Sequence, residues 1–193
     1  MTHPMPETAD YAALAQQVID LAAAAPDPNA FVVELIRRLN LTALASVSGV
    51  KLLDVDPGAD TNRTVYTLVG PPDGVAEAAF RGARKAAELI DMTAHKGAHP
   101  RMGALDVCPF IPVSDITMAE CADLARAVGR RIGDELEIPV YFYEHAASTD
   151  ERRSLASIRA GEYEGLADKL AQPAWAPDAG PARFSARSGA TVV

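Results

Sequence analysis

Residues 49–72 read GVKLLDVDPGADTNRTVYTLVGPP, and the class of fold turns on this stretch. Upstream of it apolar residues recur at helical spacing; at Gly49 the period changes. Val50 to Val55, VKLLDV, is strand-like, and Arg63 to Val69, RTVYTLV, alternates apolar and polar residues at period two. Between them Asp56-Pro57-Gly58-Ala59-Asp60 is turn chemistry, because Asp, Pro and Gly each favour reversal for their own steric reason. The stretch therefore predicts an antiparallel pair of strands in a chain that is otherwise largely helical.

Working outward, Gly70-Pro71-Pro72-Asp73 opens a helix predicted to run to about Met92, with Asp73 as cap. Val75, Ala79, Ala83, Ala86 and Ile90 form its inner stripe, while Glu77, Arg81, Arg84, Lys85 and Glu88 face water. A strand is predicted from Leu105 to Val113. Thr117 and Glu120 then fit a capping box, and the helix they start should bury Cys121, Leu124, Ala125, Val128 and Ile132 before ending near Glu135. Pro139 to Tyr143, PVYFY, reads as a short buried strand. The order strand, strand, helix, strand, helix, strand predicts an α+β sheet layered by helices. Short helical pieces follow over Asp150 to Ala160 and Tyr163 to Leu170, then an irregular tail from Gln172. On the N-terminal side, helices starting after the caps Asp10 and Asn29 predict an αα-hairpin reaching about Ala45, behind a loose tail over residues 1–9.

The chain has 193 residues, enough for one substantial core, and its hydrophobic content of 49% is that of an ordinary globular protein. A formal net charge of −8 argues against nucleic acid or an anionic membrane as the main partner. Any anionic ligand must therefore find a local basic patch. No apolar run approaches the ~20 residues of a membrane span, and no secretory leader is visible, so a cytoplasmic location is expected. Cys108 and Cys121, the only cysteines, are expected as free thiols.

Chemistry concentrates in residues 91–113, DMTAHKGAHPRMGALDVCPFIPV. Gly97 and Pro100 break a helix there, leaving His95, Lys96, His99 and Arg101 on a loop. The spacing of His95 and His99 matches the zinc motif H-E-x-x-H, but Glu is absent and the helix is broken, so no metal is expected. No G-x-S-x-G elbow or glycine-rich phosphate loop occurs. His99 suits a proton shuttle near neutrality; the plain alternative is a loop histidine bonded to backbone carbonyls. Asp54, Asp56 and Arg63 on the hairpin suit orienting a histidine or gripping a substrate, and Asp56 suits an Asx turn equally well.

Taken together, LLDVDPGADTNRTVYTLVGPP, LIDMTAHKGAHPRMGALDVCPFIPV, IRAGEYEGL and WAPDAGPARF closely resemble the N-terminal subdomain of glutamate formimidoyltransferase, the domain also found in formimidoyltransferase-cyclodeaminase. The resemblance covers roughly Val50 to Ala190. It implies a ferredoxin-like α/β sandwich, a mixed, mostly antiparallel sheet with helices on one face. The N-terminal helical hairpin is an addition to that fold. The implied domains are 1–48 (tail and hairpin), 49–178 (the subdomain) and 179–193 (a folate-binding-like segment).

The implied activity is transfer of a formimino group from N-formimino-L-glutamate to N5 of the co-substrate tetrahydrofolate, in one-carbon metabolism and histidine degradation. His99 matches the family's acid/base. Gly180, Pro181, Ala182, Arg183, Phe184, Ser185, Ala186, Arg187, Ser188 and Gly189 match its folate-contacting segment, where the two arginines suit a carboxylate and Phe184 an aromatic ring. Asp56, Arg63, Lys96 and Arg101 are the further substrate-binding candidates, Lys96 and Arg101 for the glutamate carboxylates.

The chain departs from the family's pattern at several points. A predicted helical hairpin takes the place where family members open with a strand like VPNFSEGR. The loop reads AHP for the common EHP, and Ser188 replaces a common Trp. Family enzymes continue into a second subdomain, between which and the first the folate groove lies. Two readings follow: a transferase completed by a second subdomain in trans or by self-association, or a catalytically weak or inactive folate-binding or regulatory module.

Overall fold

The computed structural model describes residues 46–58 and 60–193; the expected N-terminal hairpin lies outside them. Strand β1 spans Lys51–Gly58 and pairs antiparallel with β2, Arg63–Val69. The predicted turn falls later than expected. Pro57 is paired with Thr64 and Gly58 with Arg63, so the ladder runs through the Asp-Pro-Gly segment and the chain reverses over the residues that follow. A proline is tolerated here because, among the described residues, β1 pairs with β2 alone. The register shifts between Leu52 and Asp54, at Leu53, which stands exposed.

Helix α1, Pro72–Leu89, begins two residues earlier than a cap at Asp73 would place it. Pro71 occupies the N-cap and Pro72 the first helical position, where a missing N–H costs nothing. Asp73 instead sits in the first turn, where its charge complements the helix dipole. Ala83 and Ala86 are buried as expected, and Phe80, left out of the predicted stripe, is buried with them. Arg131 explains why. Its guanidinium lies 3.6 Å from the Phe80 ring centroid and 2.6 Å from Glu77, stapling α1 to the helix that carries Arg131 over the aromatic face.

Helix α2, Met118–Leu136, starts at the expected capping box: Thr117 Oγ1 accepts from the Glu120 amide, and Glu120 accepts from the Thr117 amide. Cys121, Ala125, Val128 and Ile132 are buried and Leu124 is partly covered. A Cβ on Gly133 would stand 2.4 Å from the Gly180 amide nitrogen, so only glycine lets the helix touch that backbone.

The predicted strand over Leu105–Val113 does not form. Pro109 and Pro112 supply no amide donor, and Ile111 and Val113 are left exposed. Only Val107 makes a bridge, to Val192. The partner was read as irregular tail: β4, Thr191–Val192, pairs parallel with β3, Val140–Tyr141, the core of the expected PVYFY strand. Val192 N–H also donates to Asp106 O at 3.0 Å, and Cys108 N–H to Val192 O at 2.9 Å. Ala179 bridges the other side of Val140.

This short parallel pair is covered on both faces, as parallel strands require. Side chains alternate between two cores. Val140, Phe142 and Val193 join Phe80, Ala122, Val128 and Ile132 beneath α1 and α2. Tyr141 and Val192 join Met102, Ile158, Leu166 and Leu170 against the short helices α3, Leu155–Arg159, and α4, Leu166–Leu170. The described strands thus make one antiparallel and one parallel two-stranded sheet in a mixed α/β arrangement. Cys108 and Cys121 are free thiols; burial pushes the Cys108 thiol up to about 12.

Arg152 fixes the approach to the C-terminal strand. Both it and its partner Asp178 are buried, 2.6 Å apart, and Arg152 also donates to the carbonyls of Ala174 and Ala176. Asp178 in turn accepts from the Phe142 amide at 2.8 Å. Removing one member of such a pair strands the other charge. Arg152→Met is expected to lower stability by about 3–5 kcal/mol in urea unfolding, while the double variant Arg152→Met/Asp178→Asn recovers part of that loss.

Candidate functional site

The site begins where α1 ends. Asp91 Oδ1 accepts from the Thr93 amide at 3.0 Å and its hydroxyl at 2.6 Å, turning the chain into the His95–His99 loop. That loop is seated on the reversal between β1 and β2. The Ala98 amide donates to Asp60 O at 3.1 Å, and Asn62 Nδ2 to Lys96 O at 2.8 Å. Asn62 holds a left-handed φ of 47°, a conformation asparagine tolerates better than most residues. At Gly97 a Cβ would come within 2.3 Å of Thr61 O, so the contact between loop and hairpin requires glycine.

The two histidines play different parts. His95 Nε2 lies 2.9 Å from Asn62 O and is thereby committed to the backbone. The plain alternative weighed for His99 therefore describes His95. His99 Nε2 faces Arg63 Nη1 at 2.7 Å. A guanidinium only donates, so this ring nitrogen is the acceptor. Its Nδ1 is buried and has no hydrogen-bond partner among the described residues. Arg63 thus reaches the histidine from the first residue of β2, whereas Asp56 stands exposed on β1 opposite Val65, with no hydrogen bond to the loop among the described residues.

Arg101 is held rather than free. It makes a two-pronged contact with Glu164, 2.8 and 2.7 Å, lies 3.5 Å from Glu162 and donates to His95 O at 3.3 Å. Lys96 is exposed and has no ion-pair partner among the described residues. Lys96, Gly97, Arg101, Gly161, Glu162 and Glu164 line an open cleft of about 590 Å³, in which two cations meet two carboxylates.

The acidic wall was not picked out as a site from the sequence, although GEYEG, two acids around a tyrosine between glycines, was its signal. Gly161 and Glu162 take left-handed φ values of 89° and 53°, and the Gly165 amide closes the turn on Gly161 O at 2.7 Å. Tyr163 sits at its apex. Its amide donates to Arg101 O at 2.8 Å, and Arg101 lies 5.8 Å from its ring centroid. Burial, with the Asp91 and Glu164 carboxylates nearby, pushes the phenol up, so it stays a donor.

Residues 180–189 are brought to the same region. Phe184 is exposed, with its ring centroid 5.4 Å from that of Tyr163, and Ala186 O accepts from the Tyr163 hydroxyl. Arg187 donates to Glu88 O at 2.9 Å while its own carbonyl accepts from the Met92 amide. Ser185 O accepts from the Gly189 amide, and Ser188 O from Ala104. Gly180, Pro181 and Ala182 lie toward the other end, where Arg183 is 3.1 Å from Glu137. The positive character expected of this stretch is therefore offset at Arg183.

The family model for the formiminotransferase domain, N-terminal subdomain, matches residues 29–193. Formimidoyltransferase-cyclodeaminase from Gallus gallus is 57% identical over 150 residues, 78% of this chain and 28% of that protein. The Sus scrofa protein of the same name is 58% identical over the same shares. Glutamate formimidoyltransferase from Streptococcus pyogenes serotype M1 is 48% identical over 148 residues, 77% of this chain and 50% of that protein. The chain belongs to the formiminotransferase family and corresponds to its N-terminal subdomain. It spans half the length or less of these relatives. Among the described residues no helix is long and apolar enough to cross a membrane.

Hydrogen bonding from Arg101 holds the Glu164 carboxyl below its ordinary 4.5. A carboxyl lowered on folding stabilises the fold above its unfolded pKa, and that contribution is lost as pH falls through the folded value. Thermal melts of wild type and Glu164→Gln should therefore differ at neutral pH and converge below pH 4.5, the difference staying small because Glu164 is largely exposed.

Proposed function

We propose that this chain carries the histidine half of a formimino transfer, from N-formimino-L-glutamate to N5 of tetrahydrofolate. The observation that carries it is His99 held against Arg63 beside the cleft of Lys96 and Arg101, in a chain whose relatives are named for formimidoyl transfer. N5 attacks the formimino carbon, and a C–N bond forms to give a tetrahedral intermediate. His99 takes the N5 proton and returns it to the glutamate nitrogen as the old C–N bond breaks, so protons and bonds balance.

Arg63 has a double role in this reading. A substrate carboxylate that draws its guanidinium away frees His99 Nε2 as the base, and Arg63 then binds the anion it has met. Lys96 supplies a cation with no ion-pair partner among the described residues, and Asp56 faces the substrate from β1. Residues 180–189 contact folate, with Phe184 against one of its rings. A second formiminotransferase subdomain, in trans or from another copy, forms the opposite wall; its support is the half-length match to the Streptococcus relative. The ferredoxin-like arrangement and a cytoplasmic location belong to the same reading.

One observation favours the second reading, a folate-binding or regulatory protein with little turnover. His99 Nδ1 has no carboxylate to orient it among the described residues, and Ala98 precedes it in the loop. Incubating the purified full chain with N-formimino-L-glutamate and tetrahydrofolate, and following glutamate release, separates the two. Release is expected, with His99→Ala slower by roughly 10²–10⁴. Release unaffected by that substitution sinks the role of His99. Tetrahydrofolate binding by calorimetry without release leaves the second reading standing, and absence of binding removes both.

A further inference from the structure

Tyr163 touches both halves of the site, and nothing in the chemistry above uses it. Its amide holds the Arg101 carbonyl and its ring lies beside the Arg101 guanidinium, on the side of the His99 loop. Its hydroxyl bonds Ala186 O at 2.5 Å and its ring meets Phe184, on the side of residues 180–189. The turn that presents it is anchored by Ile158 and Leu166, both fully buried, and closed by Gly165 on Gly161. A Cβ on Gly165 would stand 2.8 Å from Gly161 O, so the turn is tight.

The hydroxyl bond is exposed, and neither Tyr163 nor Phe184 belongs to a core cluster. An exposed phenol finds water readily, so this bond adds little to stability. What it does add is location: it fixes where the Ala186 carbonyl and the Phe184 ring stand relative to Arg101. We propose that Tyr163 is a positioning residue for tetrahydrofolate, setting residues 184–187 at the distance from the His99 loop that a flat ring needs between them. The proposal rests on the reading of residues 180–189 as the folate contact.

Tyr163→Phe in the full chain tests it, because the ring, and with it the Arg101 contact, is retained. Calorimetry with tetrahydrofolate should show a dissociation constant raised about five-fold, the effect of one modest hydrogen bond. Affinity for N-formimino-L-glutamate and the thermal midpoint should stay as in wild type. Tyr163→Leu, which also removes the ring beside Phe184, should weaken folate further still. Equal folate affinity in wild type and Tyr163→Phe overturns the inference and leaves the folate reading intact. A variant that melts lower and loses affinity for both ligands alike shows a merely structural tyrosine and overturns it too. Wild type that fails to bind tetrahydrofolate overturns the folate reading itself, and the inference with it.

Discussion

Everything else in this structure leans on a parallel pair of strands only two residues long, Val140–Tyr141 beside Thr191–Val192. Buried backbone must be hydrogen-bonded, and so short a ladder cannot satisfy its neighbours alone. Irregular segments do the rest: Ala179 flanks one edge, Asp106 to Cys108 the other, and Gly103 pairs with Gly189. Because backbone lies directly on backbone there, a Cβ on Gly103 would sit 2.3 Å from Ala190 O. The same constraint ties the site to the core, since residues 103–108 continue the His99 loop and Ala190 continues the stretch 180–189.

Charge in the site works at short range. The whole chain is acidic, at −8, and the cleft contains as many carboxylates as cations, so no broad field draws an anion inward. Under the proposed function selectivity comes from exchange of partners: a ligand carboxylate would compete with Glu164 for Arg101, and with His99 for Arg63. The Arg101 exchange replaces one carboxylate with another, while the Arg63 exchange replaces a neutral ring nitrogen with a carboxylate, the stronger partner. Orientation is thereby set at modest net affinity.

Legibility in the sequence followed from how local the deciding physics was. The hairpin's strands, the Thr117–Glu120 capping box and the apolar face of α2 depend on neighbours within a turn or a ladder and form as their residues indicate, although the hairpin reverses only after Gly58. Asp73 was displaced as cap because two prolines ahead of it fix the helix start sooner. The strand expected at 105–113 failed on its prolines, and β4 was missed because a run as short as ATVV has no period to read. Its strand character comes from Val107 and Val140, far off in sequence. In the site, His99 was legible as a polar residue out of place and Arg63 as a residue suited to orienting a histidine. Which histidine Arg63 meets was not legible, nor was the wall formed by Glu162 and Glu164, because both depend on segments meeting in space.

Several of the links between segments around His99 are a side chain from one reaching a backbone carbonyl of another. Asn62 reaches Lys96, Arg101 reaches His95, Tyr163 reaches Ala186 and Arg187 reaches Glu88. Every residue carries a carbonyl, so the receiving positions satisfy these links whatever their side chains are. The giving positions have no such freedom, because few side chains have the right donor at the right reach. Mutational drift should accordingly be lopsided: Asn62, Arg101, Tyr163 and Arg187 are pinned by chemistry. Lys96, Ala186 and Glu88 can explore new side chains facing the cleft or the solvent without loosening the frame. A scaffold wired in this way can acquire a new ligand preference by small steps, keeping its shape while its lining changes.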